Sequence, residues 1–392
     1  MNIAPIDPAA LMPVLAPIGE ARTLPQASYV SDEVFAWETE RFFEGSWVCA
    51  GRSAQLARPG EQAAVQIGTA GILLVRDGDG VLRAFHNVCR HRGHELLPCG
   101  EHPVSRGVIK CPYHAWVYGL DGALRGAPRF AHLPADDPVR EGLVPARVAE
   151  WHGWVFINAS GAAPPFAQHV GNMEELVGPY RPELLAPAAT REYVVEANWK
   201  VVVENYHECY HCPQIHPELC RVTPPDSGEN YRPRGLWAGG TMDLMEHAET
   251  MSISGRSDSS PLPWLDAPLL RRVLYFGLFP NLLISTHPDY VMTHRIEPLA
   301  PGRSLIECAW LFPRDEQDRP GFDPTYAVEF WDITNRQDWK ACESVQRGIR
   351  SRGYRQGPLA PHEDAVHDFM TIVANGYLEG EPSNPRSRAL TP

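Results

Sequence analysis

The chain has 392 residues, of which 44% are hydrophobic and 21% charged, ordinary globular usage that excludes a disordered or collagen-like polymer. Its formal net charge of −13 argues against nucleic acid or an anionic membrane surface as a partner. Length divided by about 150 suggests two to three domains. No run of about 18 apolar residues is present, so no membrane span is expected. The opening stretch MNIAPIDPAALMPVLAPIG lacks a basic n-region and is broken by prolines, so the cytoplasm is the expected compartment. The nine cysteines are an odd count; metal or redox use is expected of them rather than a disulfide framework.

In chain order, residues 1–40 read as a Pro-punctuated lead running into an amphipathic helix from Asp32 to Phe43. From Trp47 to Arg129 the pattern is short and strand-like, with strands at Ala64–Ile67, Gly71–Val75 and Leu82–Phe85. Asp77-Gly78-Asp79-Gly80 and Asp121-Gly122 are the turn signals between them, since glycine accepts positive φ. Gly153–Asn158 reads as a further strand and Met173–Leu176 as a helix. From Glu192 onward the character is α+β. A helix is predicted over Trp199–Tyr210, strands near Leu274–Phe276, Leu282–Thr286, Tyr290–Ile296 and Ser304–Phe312, and helices over Thr325–Arg350 and His362–Tyr377. Residues 222–262 are rich in Gly, Ser and Pro and read as mobile loops bordering a site.

Two short segments each offer one cysteine and one histidine: Cys89-Arg90-His91, then Cys111-Pro112-Tyr113-His114 after a gap of 19 residues. Two metal readings are open. One is a single tetrahedral zinc. The other is a Rieske [2Fe–2S] cluster, with both cysteines on one iron and both histidines on the other. A mixed Cys/His pair in each loop suits the second, because each iron then takes one ligand from each loop. The strings NVCRHRGHELL and CPYHAWVYGLDGALRGAP closely resemble the Rieske domain of ring-hydroxylating and related oxygenases. His86, His94 and Cys99 lie nearby without the spacing and read as packing or surface groups.

The segment from Asn198 to His216 is dense in metal-binding side chains. It contains a literal H-E-x-x-H, His207-Glu208-Cys209-Tyr210-His211, the signature of zinc peptidases. The rival pair is His211 and His216. Five residues turn an α-helix by about 500°, so the two would diverge on an unbroken helix. Pro213 breaks it and lets the chain bring them together. The whole string resembles the mononuclear iron motif of Rieske oxygenase catalytic subunits, in which an acid stands three positions before the first histidine. The resemblance makes Glu208 that acid, His211 and His216 iron ligands, and His207 a solvent-facing or supporting residue. Asn205 matches an asparagine often found near the iron, or is a surface amide.

A facial triad needs one carboxylate and leaves positions open for dioxygen. Asp332 and Asp338 are the candidates. Asp338 shares a helical stripe with Cys342, Val345 and Ile349, and a carboxylate on an apolar stripe is costly unless paired or metal-bound. Gln337-Asp338-Trp339 also resembles the family's third-ligand stretch, so Asp338 is preferred; the other reading is an Asp paired with an Arg.

The chain is thus similar, over nearly its whole length, to the catalytic α subunit of Rieske non-heme iron oxygenases. The resemblance implies an α+β protein: a 1–40 segment packing on the catalytic domain, an all-β Rieske domain over 41–150, and a catalytic domain over 151–392 with an antiparallel sheet flanked by helices, helix-grip or START-like. It implies a [2Fe–2S] cluster and a mononuclear Fe(II), a reductase or ferredoxin as electron donor, and NAD(P)H and flavin used only by the partner reductase. It also implies a head-to-tail homotrimer in which His114 of one subunit meets Glu208 of the next, which in turn orients His211. Aromatic-ring dioxygenases mostly carry Asp at that bridge. Glu208, within Glu-Cys-Tyr-His-Cys-Pro, is similar to the branch acting on glycine betaine, stachydrine and carnitine, as are Cys342 to Gly348 and Gly357 to Asp364. The expected reaction is hydroxylation of an N-methyl carbon followed by loss of formaldehyde. Tyr206 is the first candidate to face the cation; Trp237, Trp264 and Tyr275 are weaker ones, for which ordinary core packing is the preferred reading. Aromatic-ring hydroxylation and a Rieske electron carrier without oxygenase activity remain the alternatives.

Overall fold

The computed structural model describes residues 3–104, 107–130 and 141–384. Two compact units emerge: Thr39–Phe166, and the segments on either side of it taken together.

The smaller unit is built from β1 (Val48–Arg52), β2 (Gln62–Ile67), β3 (Ala70–Arg76), β4 (Leu82–His86), β5 (Val108–Lys110), β6 (Val117–Gly119), β7 (Leu124–Gly126), β8 (Pro145–Trp151) and β9 (Trp154–Asn158). They form a sheet of order β1-β9-β8-β4-β3-β2 and a small sheet β5-β6-β7. The unit reaches Phe166, beyond the expected boundary at 150, because β9 pairs antiparallel with both β1 and β8. Residues 131–140 of the expected domain lie outside the described residues. Leu73, Val75, Phe85, Ile109, Trp116, Tyr118 and Leu124 make its core, and Cys89 and Cys111 belong to the same apolar cluster. Both cysteines sit just past the ends of strands from the two sheets.

In the larger unit, the segment Asp32–Glu38 is α-helical; the π-turn that follows it in the chain, Thr39–Glu44, belongs to the smaller unit. The opening segment clusters with the larger unit; the Thr23 N–H, for example, donates to the Gly357 carbonyl at 3.0 Å. Six strands, β10 (Leu185–Val195), β11 (Trp237–Asp243), β12 (Arg272–Leu278), β13 (Leu282–Thr286), β14 (Val291–Ala300) and β15 (Arg303–Pro313), form one antiparallel sheet of order β10-β15-β14-β13-β12-β11. The helices used below are α1 (Trp199–Tyr206), α2 (Cys212–Ile215), α3 (Pro217–Val222), α4 (Thr325–Ile349) and α5 (Asp364–Glu379).

Two predictions are corrected here. The stretch 222–262, read as loops, contains β11. Its Gly239 and Gly240 mask the strand in sequence, yet both are needed. A Cβ on Gly239 would lie 2.1 Å from the Tyr275 carbonyl oxygen, and one on Gly240 would lie 2.3 Å from the Asn230 side chain. The helix predicted to reach Tyr210 stops at Tyr206, because the Glu208 carboxylate caps the next turn by accepting from the backbone N–H groups of Tyr210 and His211.

One row across the sheet fixes which face carries the site. Ala238, Gly277, Leu283, His294 and Cys308 are successive cross-strand partners. A Cβ on Gly277 would meet the His207 ring at 2.3 Å, so α1 packs directly on this face. Asn198 caps α1 by accepting from the Lys200 N–H at 2.9 Å, and Trp199, Lys200, Val201, Val202 and Val203 are all buried. Lys200 is wholly buried yet paired, its Nζ 2.7 Å from Glu38 Oε1. Among the described residues, no helix is long and apolar enough to cross a membrane.

Candidate metal centres

In the smaller unit the loops after β4 and β5 bring Cys89, His91, Cys111 and His114 together. Each loop is closed by its own backbone: Cys89 N–H donates to the His94 carbonyl, and Cys111 N–H to that of Trp116, both at 2.8 Å. Both cysteines are 1% exposed, whereas both histidines are half-buried. The imidazoles stand 4.6 Å apart, and His91 stacks on Trp116 at 5.0 Å. Among the described residues, His91 Nδ1 has no hydrogen-bond partner and is buried. The geometry therefore has a sulfur end inside the core and an imidazole end toward solvent. A residue the motif reading missed supports the sulfur end. The Tyr118 hydroxyl accepts from the Arg90 N–H at 3.0 Å and stands 3.2 Å from Cys89 Sγ, placed to donate to it. Its only sequence signal is a tyrosine four positions after His114.

In the larger unit, His211, His216 and Asp338 converge, their ligand atoms all within 4.8 Å of one another. Asp338 Oδ1 lies 2.8 Å from His216 Nε2 and 3.4 Å from His211 Nε2, and the two Nε2 atoms are 3.2 Å apart. Among the described residues this is the single set of three or more His, Cys, Asp or Glu side chains so gathered. The four loop ligands do not converge in that way, as one tetrahedral zinc with bonds of about 2.0–2.3 Å would require. Donor type and spacing thus suit one metal ion here and a wider binuclear cluster there.

Each histidine of this set is oriented from behind. Glu208 Oε1 is 2.5 Å from His211 Nδ1, and Gln337 Oε1 is 2.7 Å from His216 Nδ1. Burial alone would push His211 down, but its bonds to Asp338 and Glu208 hold it up at about 9 in the metal-free site. Burial would likewise raise Asp338, but the two imidazoles keep it below the ordinary carboxylate range.

The other predicted residues fall out as follows. Asp332 is committed elsewhere. Burial would raise it, but Arg336, Tyr193 and Arg191 bring it down to about 2. The stripe below Asp338 holds Cys342 and Ile349, yet Val345 is 49% exposed; Gln346 takes the inward place and accepts from the Asn198 N–H at 2.9 Å. His207, expected toward solvent or behind a ligand, is wholly buried and turned away from His211. Its Nδ1–H donates to the Val203 carbonyl at 2.6 Å, and its ring stacks on Phe369 of α5. Burial pushes it down to about 4, so it is neutral. The H-E-x-x-H reading fails on this placement. Asn205 is half-buried on the last turn of α1.

Tyr206 lies on the site face, with its hydroxyl 2.8 Å from Ser285 Oγ and its ring 6.2 Å from that of Tyr275 and 5.8 Å from that of His294. Trp237 does not join them. It is one residue out of step with Ala238, so it occupies the opposite face of the sheet, buried against Phe276. Trp264 is fixed by donating to the Tyr180 carbonyl at 3.1 Å. Cys209 and Cys212, expected to be unpaired, form a disulfide across the turn that separates Glu208 from α2. Beside Glu208 opens a groove of about 860 Å³ lined by Tyr210, Asp226, Glu229, Tyr275 and Asp364.

The model of the Rieske [2Fe–2S] domain matches residues 46–137, and that of the ring hydroxylating alpha subunit catalytic domain matches residues 182–379. The chain belongs to the ring-hydroxylating oxygenase alpha-subunit family. As a member of this family it is a Rieske non-heme iron oxygenase, and its cofactors are a Rieske [2Fe–2S] cluster and a mononuclear iron. It is 32% identical to the glycine betaine monooxygenase oxygenase subunit of Chromohalobacter salexigens over 390 residues, covering 91% of this chain and 86% of that one. It is also 32% identical to the carnitine monooxygenase oxygenase subunit of Escherichia coli K12, covering 92% and 95%. Among solved structures it resembles the quaternary ammonium Rieske monooxygenase CntA in complex with L-carnitine, with TM-score 0.75, 28% identity, and coverage of 95% and 99%. Naphthalene 1,2-dioxygenase from Rhodococcus, at 19% identity and TM-score 0.75 over 95% and 98% of the two chains, shares the fold.

Proposed function

We propose that this chain is the oxygenase component that hydroxylates an N-methyl carbon of a quaternary ammonium compound such as glycine betaine or stachydrine, with dioxygen and electrons from a separate reductase. The observation that carries this reading is Glu208, rather than Asp, against His211 Nδ1, in a chain 32% identical to both glycine betaine and carnitine oxygenase subunits. Cys89 and Cys111 would hold one iron of the cluster and His91 and His114 the other; His211, His216 and Asp338 would hold the mononuclear iron. When bound, these groups supply electron storage and dioxygen activation. The net conversion takes the trimethylammonium group, dioxygen, two electrons and two protons to the protonated tertiary amine, formaldehyde and water.

The side chains do the rest. Glu208 keeps a proton on His211 Nδ1, so that Nε2 presents its lone pair beside Asp338. The rings of Tyr206 and Tyr275, held by Ser285 and Asn230, supply aromatic faces for a cation, worth about 0.5–2 kcal/mol each. Between subunits we propose head-to-tail contact in a homotrimer, with His114 of one copy reaching Glu208 of the next. Charge supports it: exposed Arg90, Arg92 and Arg129 flank the cluster histidines, and the groove beside Glu208 carries Asp226, Glu229 and Asp364. We infer a cytoplasmic setting, where NAD(P)H and a flavin reductase are at hand.

The test is oxygen uptake and formaldehyde release over a panel of methylated amines and aromatic acids, using a surrogate reductase. One formaldehyde per dioxygen with a betaine is the expected result. Steady turnover of benzoate-type rings without response to betaines would overturn the substrate assignment.

A further inference from the structure

The two histidines of the mononuclear site are backed by chemically different groups. Behind His211 stands a carboxylate, Glu208; behind His216 stands a neutral amide, Gln337, at 2.7 Å from Nδ1. His216 is nearly buried, its side chain 2% exposed, between the two short helices α2 and α3. To offer Nε2 to a metal it must carry its proton on Nδ1, and that proton needs an acceptor. An amide can present either its oxygen or its nitrogen. Here the choice is made by a third residue: Glu218 Oε2, on α3, lies 3.4 Å from Gln337 Nε2. A carboxylate only accepts, so the amide nitrogen turns to Glu218 and the oxygen to His216. Gln337 and Asp338 are neighbours on α4, and they grip opposite nitrogens of one ring, with Asp338 Oδ1 2.8 Å from Nε2.

We propose that Gln337, anchored by Glu218, is the positioning residue that orients His216 to offer Nε2 and confines carboxylate support to His211. A carboxylate at 337 would stand against Glu218 with like charge and make the two histidines equivalent in support. The inference rests on the reading of His216 as an iron ligand.

The test compares Gln337→Leu, Gln337→Glu and the exchange variant Glu218→Gln/Gln337→Glu with the unaltered protein. Ferrous affinity is measured by chelator competition, the symmetry of the site by the electron paramagnetic resonance of its nitric oxide adduct, and folding by the melting temperature of protein stripped of its mononuclear iron. Gln337→Leu is expected to lose about 10–100-fold in ferrous affinity. Gln337→Glu faces Glu218 with like charge and loses affinity too. The exchange variant restores an acceptor held by a donor, and is expected to regain affinity to within about threefold while its nitric oxide spectrum differs from that of the unaltered protein. Unaltered affinity and spectrum in Gln337→Leu would overturn the proposal, and so would failure of the exchange variant to recover affinity. His216→Ala serves as the control. If it keeps its iron, the ligand assignment itself falls; if it loses iron while Gln337→Leu does not, only the role of Gln337 falls.

Discussion

On the proposed ligand sets, the cluster loops and the mononuclear site solve the same problem, holding metal with histidines, by opposite means. The loops take their four ligands from one short stretch, closed by their own backbone hydrogen bonds, with the thiols sunk in an apolar core and the imidazoles facing outward. The mononuclear site draws its carboxylate from a helix 122 residues beyond His216, and each of its histidines is oriented by another side chain. A cluster that exchanges electrons with partners needs an exposed end. A site that handles dioxygen and substrate needs burial and fixed orientation, which only long-range packing supplies.

The largest expected effect separates the two sites. Asp338→Ala should abolish formaldehyde formation and release the mononuclear iron, while the visible spectrum of the cluster stays unchanged; loss of the cluster in that variant would join what is here kept apart. Next, His207→Ala should retain iron yet lower stability by about 2–3 kcal/mol in chemical denaturation, from the cavity and the carbonyl left unpaired. His216→Ala should do the reverse, keeping stability in the metal-free state and losing iron. A further effect depends on pH. Burial pushes Glu204 up to about 8, against the lowering influence of its hydrogen bond from Tyr29 and of Lys200. The folded state therefore holds this proton more tightly than the unfolded chain. Stability from this group is full below about pH 4.5, falls as pH rises and is gone above about pH 8, a loss on the order of 5 kcal/mol. Glu204→Gln should flatten that decline in denaturation midpoints measured from pH 5 to 8. The smallest concerns the sulfur end of the cluster. Tyr118→Phe removes a hydrogen bond of about 1 kcal/mol to Cys89, and should lower the cluster potential by about 40 mV in a spectroscopic redox titration.

The same contrast explains what the sequence disclosed. The C-x-H and C-x-x-H loops are local, so spacing alone narrows them to two metal readings, and the flanking strings choose between these. The pairing of His211 with His216 is legible because Pro213 breaks the helix between them. Asp338 is legible as a carboxylate on an apolar stripe and from the resemblance of Gln337-Asp338-Trp339, and that stripe is imperfect, since Gln346 rather than Val345 turns inward. Residues whose roles depend on partners far along the chain were not legible. His207 reads as solvent-facing or supporting until Gly277 is seen to leave room for its ring. Trp237 reads as a substrate aromatic until the register of β11 turns it to the far face. The hidden strand itself reads as loop, because glycine is chosen there for close backbone approach and not for a turn.

Single turnover tests the cooperation of the two sites most directly. Protein reduced without oxygen holds one electron in the cluster and one in the ferrous ion, the two that one hydroxylation consumes. Mixed with dioxygen and glycine betaine, it should release formaldehyde in equal amount to the cluster oxidised, and the Asp338→Ala variant should release none. Cluster oxidation at the same rate in both proteins, with no formaldehyde from either, would contradict it.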